Sequence, residues 1–177
     1  MSLTYELGDT PLFDDAIYQR LPNMLKFIET QYDSRNADVV LMSTITALSS
    51  LSYFMRGMYS TRYQYPNLNT FIIAPPAQGK GQARIAESIV SDYEFAVNSG
   101  YTIDDKQYRH IIAGNNSYAN LKTVLNKCKG KGLIFETEGD VVSQNFKNDW
   151  GDYTTVIRQL FHNETICIRA IVNEAIR

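Results

Sequence analysis

A lysine between two glycines, Gly79-Lys80-Gly81, follows an apolar run, Phe71-Ile72-Ile73, and a small proline-bearing turn, Ala74-Pro75-Pro76-Ala77-Gln78. An aromatic and β-branched run that stops at such a turn reads as a buried strand over Asn69 to Ala74. The stripe Ile85, Ile89 and Val90 beyond it reads as a helix over Gln82 to Val97. Strand, loop and helix in that order aim the backbone N–H groups of a helix start, together with one ammonium, at a single point. The chemistry this suits is the holding of an anion, above all a nucleotide phosphate, by Ala77, Gln78, Gly79, Lys80 and Gly81.

The spacing approaches the pattern G-x-x-x-x-G-K-[ST] of the phosphate-binding P-loop but departs from it twice. Ala74 stands where the first Gly belongs and Gly81 where the Ser or Thr belongs. That hydroxyl ordinarily ligates the Mg²⁺ bridging the β- and γ-phosphates, so metal binding must rest on other groups. A Gly-containing turn with a solvated lysine has the same sequence, and that alternative stays open. Further along, Gly130-Lys131-Gly132 breaks a helical pattern, and Leu133-Ile134-Phe135 runs into Glu136-Thr137-Glu138-Gly139-Asp140. An apolar strand that delivers carboxylates at its carboxyl end has the form of a Walker B strand. Glu136 is the candidate ligand for Mg²⁺. Glu138, two residues on and hence on the same side of an extended chain, is the candidate for orienting or deprotonating an attacking water. A strand ending in a solvated acidic turn is the competing reading.

Four segments together resemble a family: Tyr65-Pro66-Asn67-Leu68, the loop Ala74 to Gly81, Phe135 to Asp140, and Leu160-Phe161-His162-Asn163-Glu164. They are similar, over nearly the whole chain, to a domain-of-unknown-function family of P-loop proteins met in bacterial mobile elements and prophages, often joined to primase-like domains. The resemblance implies an α/β fold, a P-loop NTPase-like three-layer αβα core, with ATP and Mg²⁺ as ligands. Gly-Lys-Gly is usual in that family, in line with Gly81. The resemblance also implies that this chain is the N-terminal part of such a module, that oligomers form, and that DNA is a partner only of a longer protein. It sets Arg158 and His162 beside the nucleotide face, where either can sense phosphate; a helix end with a polar rim is the alternative for both.

The elements that must position these groups follow from periodicity. Residues 1–62 read as an N-terminal helical segment and 63–177 as the P-loop core. Ile17, Leu21, Met24, Leu25 and Ile28 lie near helical spacing within Asp14 to Tyr32, broken at Pro22. A helix over Ala37 to Met58 follows, then a turn at Tyr63 to Asn67. Arg109 to Ala113 reads as a strand, and Ser117 as the cap of a helix whose stripe is Leu121, Val124 and Leu125 and which Gly130 closes. His110 reads as packed beside that strand. Asn115 and Asn116 leave it where polar side chains reach a ligand or cap the next helix. Val141 to Phe146 reads as a short helix, Trp150 as an anchor in the turn before a helix over Tyr153 to Phe161, and Thr165 to Val172 as a final edge strand.

Composition bounds the rest. A chain of 177 residues, 44% hydrophobic, suits one domain with a core of its own. The formal net charge of −2 gives no overall electrostatic footprint for nucleic acid. Cys128 and Cys167 have no His at ligand spacing and read as reduced thiols of a cytoplasmic protein. Met1 to Thr10 lacks the basic start and apolar core of a secretory signal. Val39 to Met55 approaches the length of a membrane span, but Ser43, Thr44, Thr46, Ser49, Ser50 and Ser52 within it favour a buried helix. Two classes of function result: an ATPase module, or a degenerate P-loop scaffold that serves interaction without hydrolysis.

Overall fold

The computed structural model describes residues 11–74, 79–100, 109–138 and 153–162. The expectations for Ala77, Gln78, Val141 to Phe146, Trp150 and Thr165 to Val172 lie outside those residues.

The chain opens with short helical pieces, α1 (Asp15–Gln19), a 3-10 turn (Asn23–Leu25) and α2 (Phe27–Gln31), so that the break at Pro22 divides the segment as its missing N–H requires. Asp14 caps α1 by accepting from the N–H of Ala16 at 2.8 Å. Tyr18, Leu25 and Ile28 bury against Ala37, Val40 and Leu41 of α3 (Ser34–Leu51), which makes the first core cluster. Asp38, half-buried on α3, accepts from the Tyr18 hydroxyl and, at 3.2 Å, from the Phe13 N–H, tying the N-terminal pieces down. Burial and this carboxylate both push the Tyr18 hydroxyl above its ordinary pKa of 10.0.

The helix expected to reach Met58 ends at Leu51, with Ser52 as its C-cap. Its inward stripe stops there. The following residues form an antiparallel hairpin, β1 (Gly57–Tyr59) and β2 (Arg62–Gln64), with Met58 opposite Tyr63 and Tyr59 opposite Arg62. Ser60 takes φ +56°, the positive value a two-residue hairpin turn demands.

After a 3-10 turn (Lys80–Arg84), α4 (Ile85–Gly100) packs along α3, where the small side chains of Ala47 and Ala86 allow close approach; Val90 and Leu133 complete that cluster. Then β3 (Ile111–Ala113), α5 (Tyr118–Lys127) and β4 (Leu133–Phe135) form a βαβ unit with the two strands parallel, Ile111 opposite Leu133 and Ala113 opposite Phe135. Ser117 accepts from the N–H of Asn120 at 3.3 Å. At the other end Gly130, φ +72°, donates to the carbonyl of Leu125 at 2.8 Å and closes α5. Ile112, Leu121 and Leu125 bury against Val156 of the last described helix, α6 (Tyr153–Phe161).

Residues 69–74 depart from expectation: they form no strand. Phe71 and Ile73 are 78% and 77% exposed, so the apolar run lacks cover, and among the described residues β3 and β4 pair only with each other. Side chains hold this segment in place of a main-chain ladder. Thr70 Oγ1 meets Thr46 Oγ1 of α3 at 2.6 Å, and Asn67 Nδ2 donates to the carbonyls of Leu160 and Phe161 at the end of α6, at 3.0 and 3.4 Å. Among the described residues no helix is long and apolar enough to cross a membrane.

Candidate functional site

Between α3, residues 65–72, the head of α4 and the open flank of β4 lies a cavity of about 1230 Å³. Lys80, Gly81, Glu136 and Glu138 all line it. Residues from two distant stretches of chain thus share one space, because the βαβ unit returns β4 toward the start of α4 through the Ala86, Val90 and Leu133 cluster.

The phosphate-binding end is built at Gly79. Its φ of +77° is the left-handed region that favours glycine, and a Cβ there would stand 2.1 Å from Asn36 Oδ1. From Gly79 the chain turns directly into the 3-10 helix that opens α4, whose first bond runs from the Gln82 N–H to the Gly79 carbonyl at 2.9 Å. Lys80 and Gly81 are the first two residues of that turn, where backbone N–H groups have no partner within a helix. Gly81 is exposed, and a Cβ on it would meet nothing within 4 Å.

The acidic end is built at the carboxyl edge of β3 and β4. Glu136, half-buried, folds its carboxylate back so that Oε1 accepts from the N–H groups of Thr137 at 3.0 Å and Glu138 at 3.4 Å. Gly114, which leaves β3 alongside, makes room for it: a Cβ on Gly114 would lie 2.8 Å from Glu136 Cβ. Glu138 is exposed at the cavity. Two carboxylates suit Mg²⁺, which takes one or two together with phosphate oxygens and water rather than a full protein cage. Among the described residues no three His, Cys, Asp or Glu converge on a metal position.

The three candidate sensors do not line this cavity. Asn116 turns inward on its own loop, donating to the Ala113 carbonyl at 2.7 Å and accepting from Asn120 Nδ2, which is the capping alternative. Arg158 is exposed on α6, and the exposed His162 ring packs edge-on against Phe161, 5.4 Å between centroids. It is the apolar face of α6, Ile157, Leu160 and Phe161, that reaches the cavity.

Sequence reasoning missed four further cations on the cavity wall, Arg84, Lys122, Lys129 and Lys131. Arg84 was legible in principle, one helical turn beyond Lys80. Lys131 lies over the Tyr53 ring at 4.0 Å, a contact between segments that no local pattern announces.

His110 stands behind this wall, wholly buried beside β3. Its Nε2 lies 3.1 Å from the Ser50 carbonyl, an acceptor only, which places the proton on Nε2 of a neutral ring. Burial lowers its pKa below the ordinary 6.5, against the raising effects of the Ser50 carbonyl and Glu94. Cys128, half-buried, donates to the Arg109 carbonyl at 3.1 Å, and burial raises its thiol pKa. Both side chains do structural work here.

No family model, no curated protein and no solved structure matches the chain. The resemblance to mobile-element P-loop proteins therefore rests on the quoted motif residues alone.

Proposed function

We propose that this chain is a nucleotide-binding module, ATP with Mg²⁺ being the ligand its residue types suit best. Lys80 and the N–H groups at the head of α4 hold the terminal phosphates, Glu136 faces the metal, and Glu138 orients water. Bound Mg²⁺ would supply charge neutralisation at the β- and γ-oxygens. The observation that carries this reading is the meeting of Lys80, Gly81, Glu136 and Glu138 in one cavity. The motif resemblance supports a setting in a replication protein of a mobile element, with primase- or helicase-like partners in a longer chain.

Calorimetric titration with MgATP, beside Lys80→Ala, tests it. Saturable binding lost in the variant is expected, and equal binding by both proteins would overturn the assignment of Lys80.

A scaffold without hydrolysis is the second reading, and one observation favours it: the Glu136 carboxylate already accepts two backbone N–H groups. Gly81 also lacks the metal-binding hydroxyl. Under either reading phosphate release from MgATP should be very slow, since an arginine finger contributes roughly 10³- to 10⁵-fold and Arg158 lies off the cavity. Brisk turnover abolished by both Lys80→Ala and Glu138→Gln would show a complete catalytic site.

A further inference from the structure

The hairpin β1–β2 stands clear of every core cluster, and all six of its strand residues are exposed. Two strands of three residues are marginal by themselves, and their side chains are ones that water does not favour. Tyr59 is 77% exposed and Met58 69%, with Phe54 just before the hairpin at 76%.

Register sorts these groups by face. Met58 and Tyr63 are partners on one face, where the Arg56 guanidinium lies 4.1 Å over the Tyr63 ring. Tyr59 and Arg62 are partners on the other. Each face therefore presents an aromatic ring beside an arginine. The same pairing recurs where the hairpin's root meets the cavity, with Lys131 over Tyr53.

Charge separates this surface from an ordinary apolar contact. The net charge of the chain is −2, yet no Asp or Glu occurs between Asp38 and Glu87, a stretch that holds Arg56, Arg62, Lys80 and Arg84. Carboxylates are thus excluded from the whole length of chain that builds the hairpin. A protein partner would be met by aliphatic side chains and mixed charge. Rings offer a face to any base, and arginines between them meet phosphates, which is the chemistry of single-stranded nucleic acid recognition without sequence preference.

We infer that the hairpin Gly57–Gln64, with Arg56, is a stacking platform for single-stranded nucleic acid. Bases stack on Tyr59 and Tyr63 while Arg56 and Arg62 neutralise the flanking phosphates. This surface is separate from the nucleotide cavity and does not depend on it.

The test is fluorescence anisotropy of a labelled oligothymidylate of roughly 15 nucleotides with the whole chain, at about 50 and 200 mM salt. Binding that weakens with salt is expected. Tyr59→Ala with Tyr63→Ala should weaken it roughly ten- to a hundredfold. Arg56→Gln with Arg62→Gln should flatten the slope of log K against log salt by about 0.7 for each phosphate no longer neutralised. These side chains belong to no core cluster, so unchanged thermal unfolding of the variants confirms that folding is intact. Saturating MgATP should leave the affinity as it was. No binding at the lower salt, binding indifferent to the hairpin substitutions, or displacement by MgATP would each overturn the inference. So would hairpin variants that dissociate an oligomer in sedimentation velocity, since a second copy of the chain would then be the occupant.

Discussion

Gly114→Ala tests whether the end of β3 sets the position of Glu136. The added methyl would lie 2.8 Å from Glu136 Cβ and 3.2 Å from both Cγ and Oε2. Contact between two carbons is comfortable only from about 3.5 Å, so the atoms overlap by the better part of an ångström. The nearest atom is a Cβ, which cannot swing aside by a rotamer change. The ends of two paired strands must part, or the Glu136 backbone must tilt, and overpacking of that kind costs about 1–3 kcal/mol. For a chain of this length each kcal/mol lowers Tm by about 2–4 °C. Thermal unfolding followed by circular dichroism reads this directly, with Gly57→Ala as control, since a Cβ at Gly57 meets nothing within 4 Å. The same methyl pushes Glu136 away from the Thr137 and Glu138 N–H groups, so the Mg²⁺ dependence of ATP binding should change along with stability. A Gly114→Ala protein as stable as wild type, with the same Mg²⁺ dependence, would refute the packing argument.

Two further outcomes follow from the buried groups. His110 is neutral in the fold with its pKa lowered by burial, while the unfolded chain takes up a proton near the ordinary 6.5. Its contribution is therefore complete above that value and is lost as pH falls below it toward the folded pKa. Urea unfolding at pH 7.5 and 5.8 should show a loss that His110→Gln, whose amide can still donate to Ser50, reduces; an identical loss in both proteins would exclude His110 as the source. Glu94→Ala should destabilise by about 1–3 kcal/mol for each donor left unpaired, because the carboxylate accepts from the N–H groups of both His110 and Ile111 ahead of β3. A change below about 0.5 kcal/mol in denaturant midpoint analysis would mean that other groups satisfy them.

What the sequence made legible is local. Ser117, Leu121, Val124, Leu125 and Gly130 announce α5 because a capping oxygen, a helical stripe and a glycine with positive φ each act within a few residues. The apolar triplet Leu133 to Phe135 likewise shows as a strand, since only a strand can end so abruptly in alternating carboxylates. The misreadings share one cause, which is that distant partners decide them. Phe71-Ile72-Ile73 has the composition of a core strand, but pairing needs a neighbour, and Asn67 and Thr70 anchor the segment to α6 and α3 instead. The apolar residues after Leu51 continue a helical run in composition, yet they turn into a hairpin once the stripe leaves the core. Of the candidate site, Lys80, Gly81, Glu136 and Glu138 share the cavity, whereas Asn116, Arg158 and His162 were placed by resemblance or edge position and lie away from it.

The amide of Asn67 bridges residues 93 apart in sequence to fasten one wall of the cavity to the end of α6. Closing a loop of that length is entropically costly, and contacts of such separation form after the local βαβ unit has condensed. Such a latch, made of one side chain and two carbonyls at the surface, belongs to the low end of the molecule's opening energies. Entry to the cavity then answers to the release of a single amide rather than to unfolding of the strands beneath it. Hydrogen exchange near Asn67 and in the last turn of α6 should accordingly rise and fall together, well before β3 and β4 give up their protons.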